Sequence, residues 1–370
     1  MSPSELDAAY QIAGRWMRSF EQWPSYTTDL VLEGLLALFD ASGDRRYLDF
    51  VLRVWEFRGR PRESLTIGNS YFTCLHAETY RRTGDPRFVE GLVEVADEWR
   101  RTAPRTAEGA VAHRKDHGPA VLLDMLAGYA PLMAAASALS GDESFFDECA
   151  QQCRLYRDIL RNPATGLWHH ARGWRASGVL SPAGWCRGQG WAMRALVKSL
   201  EWMPPFVVPP SGGSGRRGTA ETAPHECGTT NKDAAPTFVV PPSGGGCFAN
   251  ALLEILCELS AALLRHQQPS GMWNQLVDEP DSYLETSGTG FIASMLEVAG
   301  RNAWIDTTPA ATLGTQSLAA FIDLDGTVRN GCPGTPPLET RDDYRQRIPE
   351  PNDPHAAAAI LMALAVAEQS

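Results

Sequence analysis

The chain has 370 residues, 44% hydrophobic and 21% charged, which is enough apolar material for a sizeable core. Its formal net charge of −11 argues against a nucleic-acid surface, because phosphate binding needs a net basic face. No apolar run approaches the ~20 residues that span a bilayer, and the Met1-Ser-Pro-Ser-Glu-Leu-Asp start lacks the charged and apolar regions of a signal peptide.

The first third reads as helix after helix with a recurrent hinge. Ser42-Gly43-Asp44 returns as Thr83-Gly84-Asp85 and again as Ser140-Gly141-Asp142, each between two amphipathic runs. Gly suits the left-handed end of one helix, Asp caps the next, and an aromatic residue soon after tucks between them. Three such hinges predict stacked helical hairpins. A second element, Asn162-Pro-Ala-Thr-Gly166-Leu-Trp168, recurs as Gln268-Pro-Ser-Gly271-Met-Trp273, with Asp323-Leu-Asp-Gly326-Thr-Val328 as a variant. About a dozen helices are expected, starting near residues 5, 28, 45, 69, 86, 119, 143, 188, 248, 286, 309 and 354. Hairpin pairs in that number build an open solenoid or a closed ring. Turns rich in Trp, His and Arg at one end favour the ring.

Residues 204–246 break the pattern. They are rich in Pro, Gly, Ser and Thr, and Phe-Val-Val-Pro-Pro-Ser-Gly-Gly occurs identically at 206–213 and 238–245. Such a stretch cannot bury enough surface to offset its ordering entropy. It reads as a disordered insertion within one catalytic domain covering residues 1–370, and limited proteolysis is expected to cut there first.

The eight cysteines, at 74, 149, 153, 186, 227, 247, 257 and 332, form no Cys-x-x-Cys pair. Reduced, mostly buried thiols fit that spacing better than a zinc site and point to the cytoplasm. No nucleotide-binding loop and no Gly-x-Ser-x-Gly elbow is present.

Acid–base chemistry needs a carboxyl held in an apolar setting, which raises its pKa. Asp124, within Ala120-Val-Leu-Leu-Asp124-Met-Leu-Ala, is the best candidate, with the polar cluster His113-Arg-Lys-Asp-His117 just before it. Its alternative is a buried Asp satisfying helix N–H groups. His169-His170 is suited to hydrogen bonding a sugar or carboxylate. Trp185-Cys-Arg187-Gly-Gln189-Gly-Trp191 sets two indoles around a guanidinium, a floor for an acidic sugar or simply an Arg packed on Trp. Glycines there would let a ligand approach the backbone. Glu285, in Asp281-Ser-Tyr-Leu-Glu-Thr-Ser287, is expected to cap a helix and brace loops.

Together these stretches, with the Trp23-Pro start, Gly166-Leu-Trp-His-His170, Ser270-Gly-Met-Trp-Asn-Gln-Leu and Gly331-Cys-Pro-Gly334, resemble the unsaturated glucuronyl and rhamnogalacturonyl hydrolases, glycoside hydrolase families 88 and 105. The likeness covers nearly the whole chain outside 204–246. It implies an all-α (α/α)6 barrel, a six-hairpin toroid, acting on unsaturated uronic-acid oligosaccharides without metal or other cofactor. The implied reaction is hydration of the C4=C5 vinyl ether in pectin-type or related lyase products, most specifically of the rhamnogalacturonyl type. Asp124 would be the catalytic acid and base; His113, His170, Arg187, Gln189, Trp185 and Trp191 would bind substrate. The family's usual second Asp is replaced near Asn69, which can still hydrogen-bond a sugar but carries no charge. That loss motivates a different reading, a catalytically weakened carbohydrate-binding protein on the same barrel. A two-carboxylate hydrolase would need a second acid beside Asp124, for which only Asp116 and Asp29 offer themselves.

Overall fold

The computed structural model describes residues 5–19, 27–58, 70–203 and 247–369. In them run α1 (Glu5–Arg18), α2 (Thr27–Ser42), α3 (Arg45–Arg58), α4 (Ser70–Thr83), α5 (Leu92–Thr102), α6 (Leu123–Ser140) and α7 (Ser144–Leu160). There follow α8 (Cys186–Leu200), α9 (Cys247–Leu264), α10 (Thr286–Arg301), α11 (Thr308–Leu318), the one-turn α12 (Arg341–Arg345) and α13 (Pro354–Ala367). Asn69 and the segment 204–246 lie outside the described residues.

Six helices make an inner ring. α2 packs on α4, α4 on α6, α6 on α8, α8 on α10, α10 on α13, and α13 closes back onto α2. α1, α3, α5, α7, α9 and α11 pack outside them. The protein is an (α/α)6 barrel. Composition sorts the two layers. α13, Pro354-His-Ala-Ala-Ala-Ala-Ile-Leu-Met-Ala-Leu-Ala-Val-Ala, is buried from His355 to Val366, as a helix enclosed on all sides must be. α5 instead confines its burial to Leu92, Ala96 and Trp99, one stripe facing the ring.

Hinges and loops divide the barrel into two ends. Gly43, Gly84 and Gly141 adopt φ of 67°, 68° and 75° where inner helices turn outward, and Asp44, Asp85 and Asp142 then accept backbone N–H groups two residues on. The aromatics that follow, Tyr47, Phe88 and Phe145, are buried as the motif requires. The long connections 103–122, 161–185, 265–285 and 319–353 gather at the other end, each leading into the N-terminus of an inner helix. Positive dipole ends therefore converge on that mouth.

Two expected helix starts shift. The helix placed near 86 is a 3₁₀ turn, Pro86–Phe88, and α5 begins at Leu92 because Gly91 turns the chain at φ 80°. The helix placed near 119 begins at Leu123, because residues before it pair as strands. β1 (His113–Lys115), β2 (Gly118–Leu122) and β3 (Ala171–Arg172) form a small antiparallel sheet with His113 opposite Ala120 and Leu122 opposite Ala171. Strands this short carry no readable alternation.

Glycines at the mouth serve helix packing. A Cβ on Gly190 would lie 2.7 Å from Cβ of Phe291, one on Gly290 2.7 Å from the Ala359 carbonyl carbon, and one on Gly288 2.6 Å from that of Cys186. This corrects the expectation that the glycines between Trp185 and Trp191 admit a ligand. Gly188 is likewise filled, by the Trp185 ring at 2.9 Å. Gly288→Ala, which must push α8 and α10 apart at their backbones, is expected to destabilise the fold by about 1–3 kcal/mol. A urea midpoint equal to wild type would refute that packing argument.

Candidate active site

Asp124 sits in the first turn of α6, and the chain reaches it from β2 through a Leu123 N–H that donates to the His170 carbonyl at 3.0 Å. That bond draws the two predicted residues together: His170 Nε2 lies 3.2 Å from Asp124 Oδ2. Oδ2 is buried, while the Asp124 side chain as a whole keeps 23% exposure. One oxygen therefore faces the protein interior, and the exposed remainder faces the mouth. Burial pushes the Asp124 carboxyl up, yet His170, the Arg187 guanidinium and a backbone N–H outweigh it and hold the group below its usual range. The expected raised pKa is thus reversed. The apolar helix sequence hides the imidazole and the guanidinium that the fold brings in from distant segments.

His170 itself is 1% exposed. Its ring stacks on Trp185 at 4.0 Å with 28° between planes, and its Nδ1 lies 2.7 Å from the Tyr344 hydroxyl. It reaches Asp124 from behind the mouth.

The Trp185–Trp191 stretch is rearranged most strongly relative to expectation. Trp185 and Trp191 are both buried, the first behind His170, the second against Phe291 at 4.6 Å and edge-on to His355 at 6.3 Å. Neither offers an open ring face to a sugar. Gln189 uses both ends of its amide on one backbone: it accepts the Trp168 N–H at 2.9 Å and donates to the Trp168 carbonyl at 2.9 Å. It latches the Gly166-Leu-Trp turn to α8 and leaves no group for substrate. Arg187 is 2% exposed and donates to the Pro333 carbonyl at 2.8 Å, to the Cys332 carbonyl and to Ser287 Oγ at 3.3 Å, with Asp353 3.6 Å away. Its charge acts on Asp124, and both of its terminal nitrogens already donate within the protein. The structure thus buries all four side chains expected to bind substrate, a placement that motif spacing does not reveal.

His113, on β1, is half-buried and meets the Trp174 ring edge-on at 5.5 Å, while Lys115 Nζ stands 3.4 Å over the same ring. Burial and Lys115 hold the His113 imidazole below its ordinary value although Asp124 pulls it up. Asp116 is exposed and Asp29 is buried in the first turn of α2. Glu285 caps α10 as expected, accepting N–H groups from Ser287 at 2.7 Å, Gly288 at 2.6 Å and Cys332 at 3.0 Å. Asp353 caps α13 and faces His355 at 3.2 Å. Both carboxylates are engaged. Tyr344, Asp353 and His355 escaped the sequence reading. Asp353-Pro-His at the head of an entirely apolar run was the available signal for the latter two. Among the described residues no group of three His, Cys, Asp or Glu could hold a metal ion.

The sequence pattern of Glycosyl Hydrolase Family 88 matches residues 7–206 and 248–370. The chain belongs to this family. It is a glycoside hydrolase. Over 344 residues it is 25% identical to the unsaturated rhamnogalacturonyl hydrolase YesR of Bacillus subtilis, covering 88% of this chain and 83% of that one. Among solved structures, the family 105 glycoside hydrolase of C. acetobutylicum superposes with a TM-score of 0.75 at 21% identity, covering 98% of this chain and 99% of the other. A family 88 glycosyl hydrolase of Bacteroides vulgatus gives a TM-score of 0.65 at 14% identity, covering 99% of each chain. The family 88 match spans both sides of the segment 207–247, and the barrel agrees with the solved relatives in fold.

Proposed function

We propose that this family 88 enzyme removes a 4,5-unsaturated uronic acid from the non-reducing end of lyase-generated oligosaccharides, with products of rhamnogalacturonan, a pectic polymer, as preferred substrates. The preference rests on the likeness to YesR. The observation that carries the chemistry is the Asp124 carboxylate, with one oxygen against His170 and its exposed part at the mouth, while nearby Glu285 and Asp353 are consumed as caps. One carboxyl suffices for a vinyl ether. Asp124 donates a proton to C4, water adds at C5, and the proton of that water returns to Asp124. The C5 hemiketal then opens and the C1–aglycone bond breaks. A conventional glycosidase would need two carboxylates flanking the bond.

Binding supplies the protonation. Asp124 is held low in the free protein, and an anionic sugar that excludes water and adds a like charge raises it, favouring the acid form that C4 requires. Converging helix N-termini and the cations Arg187 and Lys115 offset that anion in an acidic protein. Because His170 lowers Asp124, His170→Gln is expected to raise it, so the alkaline limb of kcat moves to higher pH while kcat falls. An unmoved or lowered limb would separate His170 from the acid. No described helix is long and apolar enough to cross a membrane. We assign the enzyme to the cytoplasm, consistent with the buried free thiols Cys149, Cys153, Cys186, Cys257 and Cys332. Comparing kcat/KM across unsaturated disaccharides from rhamnogalacturonan, homogalacturonan and glycosaminoglycans tests the preference. A higher value for a glycosaminoglycan product would overturn it.

A further inference from the structure

Both ring nitrogens of His170 lie close to a polar group of known hydrogen count, Nδ1 within hydrogen-bond reach and Nε2 in contact with a carboxylate oxygen. Nε2 faces the Asp124 carboxylate at 3.2 Å, so the hydrogen belongs on Nε2. A neutral imidazole has one N–H, which leaves Nδ1 as an acceptor in need of a donor. The Tyr344 hydroxyl lies 2.7 Å from Nδ1 and already accepts the Leu338 N–H at 3.2 Å. The Ser181 side chain also neighbours this hydroxyl; the short contact to Nδ1 points its single hydrogen there, and burial holds the phenol above its ordinary value, so it keeps that hydrogen.

We propose that Tyr344 is a positioning residue: it fixes His170 as the Nε2–H tautomer and thereby aims a donor at Asp124 Oδ2. The consequence falls on Asp124. Oδ2 is buried against the His170 ring, so the oxygen left to exchange a proton with substrate at the mouth is Oδ1.

The fold invests heavily in placing this hydroxyl. α12 has five residues, too few to persist alone. Thr340 and Asp343 close a capping box around it, with Thr340 N–H donating to Asp343 Oδ2 at 2.9 Å and Asp343 N–H to Thr340 Oγ1 at 3.1 Å. Arg341 pairs with Asp278 at 2.5 Å and with Glu279, and Arg345 pairs with Glu279 at 2.5 Å. Gln275 Nε2 donates to the Tyr344 carbonyl at 2.6 Å. These clamps tie α12 to the loop 275–279 and press Tyr344 onto His170. The charged and titratable groups acting on Asp124 are His170 and Arg187; Asp124 in turn acts on His113, Tyr156, Tyr344 and His355.

The catalytic part of this inference rests on Asp124 as the acid; the tautomer does not, and the test separates them. Long-range ¹⁵N–¹H spectra of protein labelled at its eight histidine rings, assigned by the resonances lost in His170→Gln, should show a pyrrole-like Nε2 and a pyridine-like Nδ1 for His170. An Nδ1–H tautomer would overturn the proposal whether or not the enzyme turns over substrate. In Tyr344→Phe the tautomers should mix and kcat should fall about ten-fold with KM within two-fold, part of the ~10²–10⁴-fold a positioned acid–base group supplies. Unchanged kcat in a folded Tyr344→Phe would also overturn it. If that variant does not fold, the wild-type spectrum decides. A correct tautomer with no turnover of any lyase product would defeat the proposed function and leave the tautomer assignment standing.

Discussion

Asp124→Asn is expected to reduce turnover of unsaturated disaccharides roughly 10³-fold, within the ~10²–10⁴-fold range of general acid–base catalysis, with KM little changed. Asn keeps the shape and can face His170, but it neither gives a proton to C4 nor takes one from water. Stability should respond differently and with a defined sign. Asp124 is held below its usual value in the folded protein, so it contributes stability above its unfolded pKa and loses it as pH falls through the folded value. The variant should therefore melt slightly below wild type near neutral pH, and the two curves should converge in acid. Turnover within ten-fold of wild type would remove Asp124 from its role.

Arg187→Met is expected to destabilise the protein by about 3–5 kcal/mol, the usual cost of stripping one partner from a buried charged pair. Arg187 ties the loop at Cys332 and Pro333 to the N-terminus of α8 and compensates Asp353. Methionine fills the space but leaves two carbonyls without their donor and Asp353 without its buried counter-charge. Chemical denaturation reads this directly. The opposite pattern, wild-type stability with a large rise in KM, would show that Arg187 faces the uronate after all. Asp353 carries the same linkage sign: burial pushes its carboxyl up, but His355, Arg187 and the Ala356 N–H hold it below its usual range. Its contribution too is lost in acid. The dependence of wild-type stability on low pH should flatten in Arg187→Met.

The hairpin grammar was legible because its physics is local. Gly141 needs a left-handed conformation, Asp142 needs a neighbouring N–H, and both requirements lie within a few residues. Inner and outer helices were distinguishable in principle for the same reason: α13 has no polar face to turn outward. The site was legible in membership more than in roles. Asp124 and His170 are 46 positions apart, and what joins them is one backbone bond from Leu123 to the His170 carbonyl. Trp185, Arg187, Gln189 and Trp191 suit a sugar platform by side-chain type, but their burial under α10 and the 331–353 connection depends on distant segments that the motif does not contain. Tyr344 was invisible, since Arg341-Asp-Asp-Tyr-Arg looks like any polar surface turn until its clamps to Asp278 and Glu279 are known.

The proposed reaction acts on the C4=C5 double bond and not on the glycosidic bond directly. A matched pair of uronyl disaccharides, identical except for that double bond, tests it most directly. With the unsaturated member, ultraviolet absorbance of the enol ether should fall in step with release of the aglycone sugar, and the saturated member should remain intact. Release of sugar from the saturated disaccharide at a comparable rate, or no loss of absorbance with any unsaturated product, would contradict the account.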